Sequence, residues 1–493
     1  MRRRTLRLTV PLALLAIALP GALTARSLGS LEFSPCSLST EGIPAAVEAQ
    51  CTTLSVPEDR SQQGGRRIEL AIAWVPARDE ALPDPVFMLA GGPGQSARDS
   101  YPQIAPAFAD TNKRRHVILV DQRGTGGSHP LSCADLPDAE AALGSEGFSA
   151  ERTRAFAQHC RDKLAADADL GHYTTTDAIA DLDAVRAAIG AAQINLVGIS
   201  YGTRVAQQYA ARYPVNTRSV VLDSPVPNSL YLGQDHAANL ETALAAQFAR
   251  CGEDSACGKA LGDPQAHLRA LIDRVQIKPL IVRYRDPVDA EWREDPLDLD
   301  RLVTVVRLFA YSPLTAALLP LSLKEAIDGQ PETLMAQSRM ILAQLEGQMM
   351  HGMELSVLCS EDVSGLHLDP ADADRLLGTA FIESIKAQCA VWPKGEMPAD
   401  FHHDFAGEMP TLVLSGELDP VTPPRYAEEI VAHLGNGRLL TLRGQGHNVI
   451  PAGCMPKLMA RFIASADAKS LDATCLDTLD APPPFSGPFG WEP

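Results

Sequence analysis

Gly198-Ile199-Ser200-Tyr201-Gly202 constrains this chain more than any other stretch. It follows an apolar run (Ile194, Leu196, Val197) and opens a segment with helical spacing (Val205, Ala206, Tyr209, Ala210). The pattern predicts strand, sharp turn, helix, with one serine hydroxyl lifted out of the backbone into a cleft. Glycines two before and two after the serine leave room for a strained turn at the end of a sheet strand.

The rest of the chain supplies the sheet. Ile68–Val75 alternates like a strand, and Val86–Ala90 is a short apolar run ending in Gly91-Gly92-Pro93-Gly94. His116–Val120 ends in Asp121-Gln122-Arg123-Gly124-Thr125-Gly126, and Ser219–Leu222 ends at Asp223. Thr176–Gly190 has helical spacing. After a long interval the strand pattern returns at Thr411–Ser415 and Leu439–Leu442, with helical spacing at Tyr426–Leu434 and Leu458–Ala464. Short apolar strands alternating with helices predict an α/β fold with a mostly parallel sheet covered on both faces. The interval, 229–404, reads as an inserted helical cap, with Leu240–Arg250 and Leu302–Leu323 as long helices. The expected organisation is 1–25 as a leader, 26–228 as the first part of the core, 229–404 as the cap and 405–493 as the rest of the core. A length of 493 residues suits one large core with a sizeable insertion, or two domains.

Residues 1–25 have the form of a secretory signal. Arg2, Arg3, Arg4 and Arg7 precede the apolar stretch Leu8–Leu19, and Ala22-Leu23-Thr24-Ala25 offers small residues for cleavage. Cleavage leaves 39 bases against 61 acids, a formal charge of −22. Such a charge disfavours nucleic acid and anionic membranes as partners, and no later stretch reads as a membrane span. All ten cysteines follow the leader, and an even number in an oxidising compartment predicts disulfides. Neighbouring pairs are the expectation: Cys36–Cys51, Cys133–Cys160, Cys251–Cys257, Cys359–Cys389 and Cys454–Cys475. No Cys/His spacing suits a metal, and no cofactor is implied.

A serine needs a base to take its proton and a third group to orient that base. Asp419, in Gly416-Glu417-Leu418-Asp419, and His447, in Gly444-Gln445-Gly446-His447, each follow a strand, and their order is Ser, Asp, His. Ser200, Asp419 and His447 are therefore the expected catalytic set. The oxyanion donors are expected to be the N–H groups of Tyr201 and Gly92. Asp121 and Arg123 read as a structural loop network, Asp223 as a brace, Thr422 as a support for the acid loop, and His402-His403 as a solvated linker.

Together these motifs resemble the α/β-hydrolases. More narrowly, they are similar to the proline iminopeptidase and tripeptidyl aminopeptidase group of secreted serine exopeptidases. Ala90 stands where the proline iminopeptidase pattern has histidine before the two glycines, which points toward the tripeptidyl branch. The resemblance implies an exported enzyme, periplasmic or secreted, that releases amino acids or short peptides from free N-termini through an acyl-enzyme. A substrate ammonium then needs carboxylates, and Glu361 with Asp362, beside Cys359, are the candidates. A carboxylesterase or lipase would use the same triad on a small ester. An inactive adhesion protein on this fold would commonly lack the serine or the histidine.

Overall fold

The computed structural model describes residues 26–40, 45–62, 64–136, 149–345 and 348–491; the leader-like segment 1–25 lies outside the described residues. Ten strands form one sheet: β1 (Arg26–Leu28), β2 (Leu31–Ser39), β3 (Ala46–Pro57), β4 (Arg67–Val75), β5 (Val86–Leu89), β6 (Val117–Val120), β7 (Ile194–Ile199), β8 (Thr217–Asp223), and, after the hairpin β9 (Leu280–Arg285) and β10 (Trp292–Leu297), β11 (Thr411–Gly416) and β12 (Gly437–Leu442). Their spatial order is β1-β2-β3-β4-β6-β5-β7-β8-β11-β12. From β1 to β6 neighbours are antiparallel; from β6 through β12 they are parallel.

The central parallel strands β5 and β6 are apolar throughout because both faces of the sheet are covered there. Phe87, Leu89, Ile118, Val120 and Leu196 pack into one layer with Phe156, Ile179, Leu182 and Val205. Their neighbours Val86, Met88, Val117, Leu119, Val197 and Val221 pack into the other, with Tyr101, Leu458, Met459 and Phe462. Alternate side chains point to opposite faces, so each strand feeds two cores. The helices that cover the sheet start where side chains cap them: the Ser96 hydroxyl accepts from Asp99 N, and the Thr174 hydroxyl from Asp177 N.

The segment between β8 and β11 departs from the sequence reading in two ways. It is not wholly helical: β9 and β10 form an antiparallel hairpin, pairing Arg285 with Trp292 and Leu280 with Leu297. Val282 and Tyr284 alternate inward there while Ile281 and Arg283 face out, a two-residue period. The expected helix Leu302–Leu323 is instead three pieces, Leu299–Phe309, Pro313–Ala316 and Leu319–Ile327: Pro313 opens the second and Pro320 lies in the first turn of the third, where a missing N–H is tolerated. The segment has an apolar cluster of its own around Leu244, Leu271, Val305 and Phe309. The antiparallel strands β1–β3 extend the sheet beyond the strands that the apolar runs predict. Among the described residues no helix is long and apolar enough to cross a membrane.

The structure joins the cysteines in the five sequential pairs. Cys36–Cys51 ties β2 to β3, and Cys359–Cys389 ties a single π-helical turn, Leu358–Asp362, to the Ala380–Cys389 helix.

Candidate active site

Four loops leave the carboxyl ends of β5, β7, β11 and β12 and meet at one edge of the sheet, where open parallel sheets place their ligand sites. Ser200 sits at the turn after β7 with φ +55° and ψ −123°, a conformation costly for a side-chain-bearing residue. Its N–H donates to the Asp223 carbonyl at 2.9 Å, and its carbonyl accepts from Thr203 N at 2.9 Å and Thr203 Oγ1 at 2.6 Å. The flanking glycines are sterically required. A Cβ on Gly198 would lie 2.4 Å from the Gly202 carbonyl oxygen, and one on Gly202 would lie 2.3 Å from that of Leu89.

The β5 loop runs close to the serine: a Cβ on Gly91 would meet the Ser200 Cβ at 3.2 Å. Gly92 has φ +107° and precedes a cis peptide to Pro93. Among the described residues, neither the Gly92 N–H nor the Tyr201 N–H has a protein acceptor. Two unengaged amides flanking one hydroxyl are what a developing oxyanion needs.

On the other flank, His447 Nδ1 lies 2.8 Å from Asp419 Oδ2. The second oxygen of Asp419 accepts from Val421 N and Thr422 N, both at 2.8 Å, and Thr422 Oγ1 donates to Oδ2 at 2.9 Å. The imidazole therefore carries its proton on Nδ1 and leaves Nε2 for chemistry. Burial disfavours the charged forms, yet the His447–Asp419 interaction dominates in both partners: Asp419 stays below the usual carboxylate range and His447 above the usual imidazole value. Asp223 adds to the hold on His447 and is itself pushed up to about 6 by burial. Its carboxylate accepts from Val449 N and Ile450 N, so it braces the loop that carries the histidine.

The segment between β8 and β11 touches both flanks. Met350 N donates to the Gly94 carbonyl at 3.0 Å, and His447 N donates to the Tyr311 carbonyl at 2.8 Å. The Tyr311 ring stands edge-on to His447, centroids 5.3 Å apart.

Glu361 and Asp362 are not the open amine site expected from the sequence. Both are buried, and their oxygens are engaged internally. Asp362 pairs with the equally buried Arg204 at 2.9 Å and accepts from Leu232 N at 2.8 Å. Glu361 accepts from Thr175 N at 2.6 Å and from Thr175 Oγ1 at 2.8 Å. Thr175 Oγ1 is 2.7 Å from the Tyr201 phenol, which also accepts from Gln122 Nε2 at 3.1 Å. Glu361 thus ends a hydrogen-bonded chain beneath the residue that follows Ser200. Burial, together with the Asp362 charge, raises its pKa to about 8. Sequence offered no signal for Thr175 in this chain, whereas Gln122 stood inside a noted motif.

His402 also departs from expectation. It is not a solvated linker residue: Nδ1 meets the Asn228 carbonyl at 2.7 Å and Nε2 the Glu361 carbonyl at 2.8 Å, while its ring packs on Tyr231. His403 is exposed. Asp121 and Arg123 are structural. Asp121 accepts from Ser96 Oγ, Arg98 N and Gly127 N, and buried Arg123 forks onto Asp181 at 2.6 and 2.8 Å. Among the described residues no cluster of side chains suits a metal ion.

The profile of the alpha/beta hydrolase fold family matches residues 84–451. This chain belongs to that family. It is 27% identical over 488 residues to the serine protease Hip1 of Mycobacterium tuberculosis, covering 90% of this chain and 91% of that one. It is 26% identical over 468 residues to the tripeptidyl aminopeptidase of Streptomyces coelicolor, covering 86% and 83%. Carboxylesterase B of M. tuberculosis is 35% identical over a shorter stretch, 47% of each chain.

Proposed function

We propose that this chain is an exported serine peptidase that releases short peptides from free N-termini through an acyl-enzyme. The observation that carries the reading is the pairing of a strained Ser200 with an ordered His447–Asp419 couple and two unengaged amides, at Gly92 and Tyr201. In this mechanism His447 Nε2 takes the Ser200 proton as Oγ attacks the scissile carbonyl. Asp419 stabilises the imidazolium. The Gly92 and Tyr201 N–H groups hold the oxyanion, and His447 then gives its proton to the leaving amine. Water activated by the same imidazole releases the acyl group. Near-full-length similarity to a serine protease and to a tripeptidyl aminopeptidase supports a peptide substrate. Five disulfides and the leader-like N-terminus support export.

The second reading is a carboxylesterase, which the 35% identity to carboxylesterase B over 47% of the chain favours. A matched panel separates the two: free-amine aminoacyl and tripeptidyl chromogenic amides, their N-acetylated forms, and short acyl esters, with Ser200→Ala as control. Selective turnover of free-amine amides is the expected result, and the released product shows how many residues leave. Ester turnover without amide turnover replaces the peptidase by the esterase.

A further inference from the structure

In an acid-rich chain, arginines are expected to find carboxylates, and several at the insertion do: Arg204 with Asp362, Arg293 with Asp286 and Asp289, Arg301 with Asp295, Arg339 with Asp286. Arg307 does not. It is half-buried on the last turn of the Leu299–Phe309 helix, and among the described residues it makes no hydrogen bond or ion pair. Its guanidinium carbon instead lies over the Phe381 ring, 5.2 Å from the centroid. A guanidinium held by an aromatic face is positioned without using any N–H, so its planar fork stays available for a carboxylate. The opposing sign of the chain as a whole makes such a fork the means by which an acidic group could be held near the site.

Its position relates it to the reaction. Phe381 also stacks on His236, ring centroids 5.3 Å apart. Arg307, His447 and Asp419 all act electrostatically on His236, whose pKa is driven down to about 3 by burial and then by Arg307, so its ring is neutral and does not compete as a cation. The helix that carries Arg307 leads directly to Tyr311, whose carbonyl takes the His447 N–H. Arg307 therefore lies about one helical turn before the residue whose carbonyl holds the His447 N–H, on the histidine flank of the site. A histidine that protonates the leaving amine has the leaving segment on its own side.

We infer that Arg307, seated on Phe381 beside His236, is a subsite for a carboxylate on the leaving segment of the substrate. The inference rests on the peptidase reading and specifies its substrate. The carboxylate has two sources, the terminal α-carboxylate of a short peptide or an acidic side chain on the first leaving residue, and the guanidinium fork accepts either.

The test uses the full-length mature protein and four peptides with a common free N-terminal tripeptide. Two end in alanine, as free acid or as amide; two end in amidated glutamate or glutamine. Active-site concentration is set by titrating Ser200 with a fluorophosphonate, so that partly unfolded variants do not distort the comparison. The expected result is a kcat/KM ratio of acid over its uncharged match of about tenfold or more, the scale of one charge-assisted bidentate contact. Preference within the alanine pair assigns the terminal carboxylate; preference within the glutamate pair assigns the side chain. Arg307→Gln should bring the ratio to within about twofold of unity, and Arg307→Lys should keep part of it. A wild-type ratio near unity in both pairs, or a ratio unchanged by Arg307→Gln, overturns the subsite while leaving the peptidase reading standing. Absence of turnover with all four peptides, alongside ester turnover, removes both.

Discussion

His447 is held by opposed influences: burial lowers the stability of its charged form, and Asp419 and Asp223 restore it, with a net rise above the ordinary imidazole value. A general base must be neutral to accept the serine proton. The acid limb of kcat/KM against pH is therefore expected to have its midpoint above about 6.5, the unperturbed value. Steady-state hydrolysis from pH 5 to 9 measures it, and a midpoint at or below that value would contradict the assigned electrostatics. Asp419→Asn leaves the loop contacts largely in place but removes the charge and the tautomer control, and kcat should fall by about 10⁴-fold. Glu361 allows a second test. Its folded-state pKa of about 8 lies above its unfolded value near 4.3, so the folded state holds the proton longer. Its contribution to stability is present below about pH 4.3 and is lost as pH rises through 8. Relative to Glu361→Gln, the wild type should lose stability between pH 5 and 8, on the order of a few kcal/mol at most. Urea midpoints of both proteins across that range give the answer; parallel curves would mean that Glu361 is ionised in the fold throughout. At this scale Ser200, Asp419 and His447 stood out in the sequence because each follows an apolar run in a fixed order. Glu361 and Asp362 were equally visible as acids, but their direction was not. Whether a carboxylate faces a cleft or an internal arginine depends on Arg204 and Thr175, more than 150 residues away in the chain.

The elements that were legible share a physical cause. β5 through β8 and β11 are buried on both faces, so burial writes itself into short apolar runs, whereas the edge strand β12 shows only the pair Leu439-Leu440 and Leu442. β2 and β3 have a mixed exposure pattern at the antiparallel margin and gave no such run. β9 failed to register because its alternation is short and lies among Ala/Leu-rich helices. The serine turn is the element whose geometry is most demanding. Gly202→Ala would place a Cβ 2.3 Å from the Leu89 carbonyl oxygen and 2.6 Å from that of Ala90, both backbone atoms that cannot swing aside. The strand end or the helix start must move. The expected outcome is a loss of about 2–3 kcal/mol in stability and a fall in fluorophosphonate labelling that exceeds the loss of folded protein, measured together by denaturant titration and active-site titration. Undiminished labelling of the folded fraction would show that the turn tolerates the shift.

At the scale of the whole molecule, the question is whether the segment between β8 and β11 moves as a lid or belongs to the same cooperative unit as the sheet. Buried polar contacts cross the boundary repeatedly: Arg204 to Asp362, Thr175 to Glu361, Asn239 to the Val421 carbonyl at 2.7 Å, and Gln208 to the Phe401 carbonyl at 2.7 Å. The two backbone bonds at Gly94 and His447 fasten it on both flanks of the site. Opening such a boundary would expose or strand several buried groups at once, each costing about 1–3 kcal/mol. The segment is therefore expected to unfold with the sheet rather than ahead of it. Asp362→Asn tests this, because it leaves the Arg204 guanidinium buried and unpaired, a change costing about 3–5 kcal/mol where an internal pair is broken. In a single unit, hydrogen exchange should accelerate by the same factor in β7, on the sheet side, and in the Leu299–Phe309 helix, which carries neither partner. Acceleration confined to the helix would instead define a lid that opens over an intact sheet. Substrate entry would then depend on that opening, and kcat/KM for large peptides should rise in the variant while that for small esters does not.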